Sequence, residues 1–274
     1  MTAVADAIRA KTGGSDPLSF PTGFSDAIAS ISGSGGGGGE TEPDKWKTIA
    51  MNPFLDVEIL KEDWERIGVL PTNQAYIKYG CLAGVRVTKV ELPGSDFNLD
   101  ADHPYVYLPD YFMYQAMQVT NRYAEVVPAE GVAYVLGDYS FRYAHLKTMP
   151  FKVASIGFRT FDECTFENGE FTLPSPTTGS TVILESQAFS GITSPGDITI
   201  TVPDGYSLNS ATVITPTKAW SLVMLATTPP NLHSSALGYT PKVASITVPK
   251  GSLEAYQSAT NWAKFADIMV EAEE

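Results

Sequence analysis

Ser155-Ile156-Gly157-Phe158-Arg159-Thr160-Phe161, running on to Phe171-Thr172-Leu173-Pro174, is echoed by a second stretch. That stretch is Val182-Ile183-Leu184-Glu185-Ser186-Gln187-Ala188-Phe189, running on to Ile200-Thr201-Val202-Pro203. Each copy sets an apolar residue, Ile156 or Ile183, five or six positions before the large member of a small-plus-large pair, Thr160-Phe161 or Ala188-Phe189. Each then closes a strand-like run with an apolar-Pro step. A unit that recurs in this way cannot bury its apolar side alone, and stacked neighbours complete the core.

The same three features extend outward from this pair. The closing step occurs at Leu92-Pro93, Val127-Pro128, Met149-Pro150, Leu173-Pro174, Val202-Pro203 and Val248-Pro249, with proline intervals of 35, 22, 24, 29 and 46. The small-large pairs read as Cys81-Leu82, Ala116-Met117, Ser140-Phe141, Thr160-Phe161, Ala188-Phe189 and Ala236-Leu237. The earlier apolar anchors read as Ile77, Phe112, Val135, Ile156, Ile183 and Leu232. The longest interval holds two units, with a strand over Trp220–Leu225 and anchors at Leu208 and Val213. The interval of 35 implies an insertion of about a dozen residues, between Gly94 and Tyr107, in a repeat class of roughly 20–29 residues.

This pattern predicts a mainly β fold: a parallel β-solenoid of irregular units. A short strand in each unit stacks on the next, and proline ends it because it has no N–H for the ladder. The ends of such a stack need covering. Trp46, Phe54, Leu55 and Trp64, with one or two helical turns over Leu60–Arg66, are expected to close one end. A helix from Leu253 to Ala259, N-capped by Ser252 and with Glu254 in its first turn, is expected at the other. Trp262, Phe265, Ile268 and Met269 would fold onto the last face.

Three regions follow: 1–32 helical, 33–44 a linker and 45–274 the solenoid. The first region reads as two short helices, with Val4 and Ile8 on one apolar face and Phe24, Ile28 and Ile31 on the other. Each is shorter than the roughly 12–15 residues at which isolated helices become marginal, so each needs a partner. That partner is its own chain, copies of itself in an oligomer such as a trimer, or another protein. Gly33–Gly39 is Gly-Ser-Gly-Gly-Gly-Gly-Gly, which predicts a coil tethering an attachment segment to a working domain.

Composition narrows the function classes. Net charge is 18 − 31 = −13, so nucleic acid and anionic lipid would be repelled. No apolar run approaches the roughly 20 residues of a membrane span, so membrane insertion is not expected. Met1–Lys11 has no apolar core of a signal peptide, which leaves a cytoplasmic protein or one that leaves the cell within an assembly. Cys81 and Cys164, 83 positions apart, read as buried thiols rather than a disulfide or a metal pair.

Little chemistry is visible. His103, His145 and His233 are scattered, and no nucleophile stands in a recognised context beside them. Glu62-Asp63 and Asp162-Glu163 read as solvated faces, and neither a catalytic set nor a cofactor is expected. Asp96, Asn98, Asp100 and Asp102 alternate like the start of a calcium loop, but Ala101 stands at its glycine position and Tyr107 at its closing Glu, so a polar insertion loop is the preferred reading. Tyr105, Tyr107, Tyr111 and Tyr114 form the aromatic-rich stretch best suited to touch a ligand or partner, with core packing as the plainer reading.

Two resemblances add to this reading. Ala226-Thr227-Thr228-Pro229-Pro230-Asn231-Leu232, Ala236-Leu237-Gly238, Ile246-Thr247-Val248-Pro249, Leu253-Glu254-Ala255-Tyr256 and Asn261-Trp262 resemble the closing unit of BspA-type leucine-rich repeat proteins. The upstream units are similar to that family's internal repeats, over about 75–274. The resemblance implies a leucine-rich-repeat-like solenoid used in adhesion and carries no catalytic residues. Ala5–Gly14, Phe20-Pro21-Thr22-Gly23-Phe24 and Ala27-Ile28 are similar to a segment of bacteriophage tail and minor structural proteins. Together they imply a non-enzymatic virion protein, assembled in the host cytoplasm and used outside it as a tail or baseplate appendage. Its first 32 residues would join tail proteins, and its solenoid would bind a host-surface protein or glycan, or a neighbouring virion protein. The alternative is a bacterial cell-surface or secreted adhesin.

Overall fold

The computed structural model describes residue 52 and residues 55–66, 80–95, 105–149, 151–238 and 242–273. The attachment residues Val4, Ile8, Phe24, Ile28 and Ile31, the glycine stretch, Trp46, Phe54, Ile77 and the acidic run from Asp96 to Asp102 lie outside these residues, as does His103. By its internal contacts the chain divides after Asp44, and everything described belongs to the unit Lys45–Glu274.

That unit is a parallel β-solenoid of about seven turns. One wall begins with strands Val57–Ile59, Val87–Glu91 and Glu125–Val127. A five-stranded sheet runs Glu170–Thr172, Ile198–Val202, Trp220–Met224, Val243–Val248 and Met269–Glu271, each parallel to the next. A four-stranded sheet runs Tyr105–Leu108, Ala133–Leu136, Lys152–Ile156 and Ser175–Pro176. The strand Trp220–Met224 pairs on both sides, with Ile198–Val202 and Val243–Val248, so the longest proline interval does hold two units.

Alternation explains these strands. Ile198, Ile200 and Val202 are buried while Thr199 and Thr201 are half-buried, and Trp220, Leu222 and Met224 repeat the pattern. The same period of two corrects the sequence reading of the anchors. Ile183 points outward and is 57% exposed, and Val135 is only half-buried. The inward column is Leu108, Leu136, Ile156 and Leu184, linked by strand register and a bridge. Ile183 pairs with Ser207, which sets Leu184 beside Leu208, and Leu208 bridges to Leu232. A one-residue offset in a strand turns a side chain to the opposite face.

A second column fills the core at the turns. Backbone N–H groups of Leu82, Met113, Phe141, Phe161, Phe189 and Ile214 donate to carbonyls of Phe112, Ser140, Thr160, Ala188, Val213 and Ala236 in the following turn. In the second unit the pair is therefore Phe112-Met113, not Ala116-Met117. Phe112 takes a slot held by small residues elsewhere and packs between Trp64 (5.8 Å) and Phe141 (5.9 Å). Phe141, Phe161 and Phe189 stack with centroids 5.2 and 5.0 Å apart.

Proline follows within two residues the strands that end at Glu91, Val127, Thr172, Val202 and Val248, although Pro176 lies within a strand, and two of the proline carbonyls are satisfied from inside. The Tyr134 hydroxyl donates to Pro93 O at 3.1 Å, and Tyr206 donates to Pro174 O at 2.5 Å. Burial raises the pKa of both phenols, that of Tyr134 to about 12. Tyr206→Phe removes the donor and leaves a buried acceptor unpaired. It is expected to cost about 1–3 kcal/mol by denaturant titration, and a loss within error would refute this role.

At one end helix Lys61–Arg66 turns Trp64 inward, and its Nε1 donates to Glu91 O at 2.6 Å. Leu55, expected to cover the same face, is 45% exposed. At the other end the outermost element on the sheet is a strand, Met269–Glu271, rather than a helix. Helix Leu253–Ser258 and the 3-10 turn Ala263–Ile268 bury Tyr256 and Trp262, while Phe265 and Ile268 stay half-buried. Ser252 does not cap with its side chain; its hydroxyl donates back to Pro249 O. Cys164 is buried, with its thiol donating to Phe141 O at 2.8 Å, and burial raises its pKa. Cys81 is only half-buried, against the expectation of burial.

Candidate functional site

Two columns of left-handed residues run along the turns. The first contains Gly80, Tyr111, Tyr139, Arg159, Gln187 and Thr212, with φ from 52° to 61°. The second contains Gly84, Gln115, Tyr143, Glu163 and Gly191, with φ from 56° to 71°. Backbone bonds between successive turns establish the equivalence: Tyr139 N to Phe158 O, Arg159 N to Ser186 O, Tyr143 N to Asp162 O and Glu163 N to Ser190 O. Glycine adopts this conformation without penalty, as it does at Gly80, Gly84 and Gly191. A tyrosine, arginine or glutamate there costs about 1–2 kcal/mol. Such strain, where it accumulates, is a pointer to function.

The side chains at these positions form an outer row. Tyr111 stacks on Tyr139 with centroids 5.0 Å apart and tilts against Tyr114 at 5.2 Å. Tyr114 meets the edge of Tyr143 at 5.6 Å, and Tyr139 meets Phe158 at 5.5 Å. All are half-buried. Tyr111 and Tyr114, named from the sequence, are thus joined to Tyr139, Tyr143 and Phe158, which it did not single out. Tyr105 and Tyr107 stand on the preceding strand, half-buried, alternating with the inward-turned Val106 and Leu108. The Tyr107 hydroxyl donates to Asp110 Oδ1 at 3.1 Å, and desolvation with the nearby Asp110 charge raises its pKa to about 12.

The row continues into a polar groove of about 410 Å³ over the next turns. Arg142 lies 4.4 Å from the Tyr143 ring centre and donates through Nη2 to the Tyr143 hydroxyl (2.8 Å) and Glu163 Oε1 (3.2 Å). Its Nε is 2.8 Å from Asp162 Oδ2, an ion pair without the angle of a hydrogen bond. Arg159 donates to Gln187 Oε1 at 2.6 Å and covers Phe158. Asp162, read from the sequence as part of a solvated face, is 4% exposed. Burial raises its pKa, and Arg142 and Arg159 offset this only in part. Thr165 and Thr193, whose hydroxyls share a 2.8 Å bond, and Thr217 continue the wall.

Three further titratable groups make local contacts. Asp63 accepts from Leu60 N at 2.7 Å. His145 Nδ1 lies 3.2 Å from Val119 O, and His233 Nδ1 lies 2.9 Å from Ser235 Oγ. Among the described residues no three His, Cys, Asp or Glu gather as metal ligands, and no helix is long and apolar enough to cross a membrane. Asp96, Asn98, Asp100 and Asp102 are outside that statement. Comparison of the sequence with protein-family models and with curated proteins finds no match to either.

Proposed function

We propose that this protein is a non-catalytic binding component of a bacteriophage virion, a tail or baseplate appendage. The first 32 residues attach it to tail proteins, with copies of itself joining as a homo-oligomer, and residues 33–44 tether the solenoid. The solenoid is leucine-rich-repeat-like, of the BspA type, with the helix Leu253–Ser258 and the tryptophan-bearing helix Lys61–Arg66 serving as end covers. The observation that carries the binding role is the outer tyrosine row, Tyr111, Tyr114, Tyr139 and Tyr143, built across two successive turns. Tyrosine and arginine dominate binding energy at recognition surfaces because they offer broad rigid area with a polar tip. Arg142, Asp162 and Glu163 are engaged with one another, which suits a fixed surface better than proton transfer.

Mass spectrometry of purified virions should recover the chain with the tail proteins, and its absence there would sink the virion reading. Tyr111→Ala with Tyr139→Ala in the full chain should weaken binding to host cells at least about tenfold, which is 1.4 kcal/mol. Undiminished binding would remove the row from the interface.

A further inference from the structure

We infer that the groove walled by Arg159, Glu163 and Gln187 is a binding site for an uncharged oligosaccharide; this rests on the reading of the solenoid as a binding domain and names its ligand class. Three observations carry it. The first is the backbone: Arg159, Glu163 and Gln187 all stand at positive φ, and at the place equivalent to Glu163 the following turn uses glycine, Gly191. The side chains are kept against a conformational preference for glycine, and what they build is the groove wall.

The second is the chemistry of that wall. Arg159, Glu163, Gln187, Thr193 and Thr217 supply planar carboxylate, amide and guanidinium groups with hydroxyls between them. Planar groups of this kind bind adjacent hydroxyl pairs in bidentate fashion. A protein partner would want an apolar centre to its interface, whereas this groove is lined by polar side chains and one glycine, Gly191. Pairing across turns holds Arg142 on Glu163 and Arg159 on Gln187, and Arg142 also donates to the adjacent Tyr143 hydroxyl, so the wall is preorganised.

The third is charge. Arg142 and Arg159 are balanced by Asp162 and Glu163, within a chain of net charge −13. No surplus cation in the groove would compensate a phosphate or carboxylate on the ligand, so sialylated and phosphorylated glycans are disfavoured.

The test is calorimetric titration of the full-length protein with neutral mannan, galactan, glucan and N-acetylglucosamine oligomers, beside sialylated and phosphorylated oligosaccharides. At least one neutral class should bind, and Glu163→Gly and Gln187→Gly should each weaken it at least about threefold, with the double variant at least about tenfold weaker. Glycine relieves the positive φ, so the thermal midpoint of each variant should hold or rise. Preference for acidic glycans, no neutral binding, wild-type affinity in the double variant, or loss of binding only together with a lower midpoint would each overturn the assignment. Host-cell adsorption that survives periodate oxidation of surface sugars would also overturn it while leaving the binding role intact. Neutral oligosaccharide bound by a chain absent from virions would support it while sinking the virion reading.

Discussion

Phe161→Ala should lower the unfolding free energy by about 3–5 kcal/mol, the usual cost of emptying a buried phenylalanine site. Phe161 is fully buried and sits between Phe141 at 5.2 Å and Phe189 at 5.0 Å, with Phe151 at 6.4 Å. Phe141 cannot move into the gap without leaving Phe112 and Phe151, and the backbone of Phe189 is held by its bond to Val213 O, so the cavity stays largely open. The loss falls on the contacts between successive turns, and a solenoid's stability is largely a sum over such contacts. Denaturant unfolding followed by tryptophan fluorescence measures it, and Phe161→Leu, which keeps most of the volume, should lose much less. A loss below about 1 kcal/mol would mean that the stack does not hold the turns together.

Gly137→Ala should also be strongly damaging, at about 1–3 kcal/mol or more. A Cβ on Gly137 would lie 2.5 Å from Asp110 Oδ1, 2.6 Å from Asp110 N and 2.8 Å from Pro109 C. Two of these are backbone atoms, so a rotamer change cannot relieve the clash. Asp110 Oδ1 also accepts from Asp138 N at 2.8 Å, and displacing it breaks that bond between turns. The next turn repeats the arrangement: a Cβ on Gly157 would lie 2.6 Å from Asp138 Oδ1, which accepts from Phe158 N. Gly196→Ala is the control, since nothing lies within 4 Å of its Cβ and its φ is unexceptional. The control should be neutral or slightly stabilising. Equal midpoints for the two variants would show that turn spacing is not set by these close approaches.

The solenoid was legible because its repeat combines three features, and the phenylalanines at 141, 161 and 189 fall where that repeat puts them. Its fine register was not. Ile183 and Leu184 are adjacent apolar residues, and only the strand pairing decides which one faces inward. Phe112-Met113 escaped notice because a large residue takes the slot reserved elsewhere for a small one, while Ala116-Met117 imitates the expected pair. Of the candidate site, Tyr111 and Tyr114 were visible as a local cluster. Tyr139, Tyr143, Arg142 and the burial of Asp162 depend on which turns lie side by side. One signal was present: the residues equivalent to Gly80, Gly84 and Gly191 are bulky in the turns between, but seeing this requires the corrected register.

Among the described residues the strand pairings that join the turns are parallel, and their hydrogen bonds run along the direction in which the turns stack. That direction gives the molecule an anisotropic mechanics. A load along the stack opens one turn's bonds at a time, so the chain can lengthen in small steps and each opened turn can close again on its neighbour. A load across the stack must shear several strands together and meets far greater resistance. A surface carried on the sides of the turns therefore sits on the stiff direction of the scaffold, where a tug on a bound ligand leaves the spacing of its contacts unchanged.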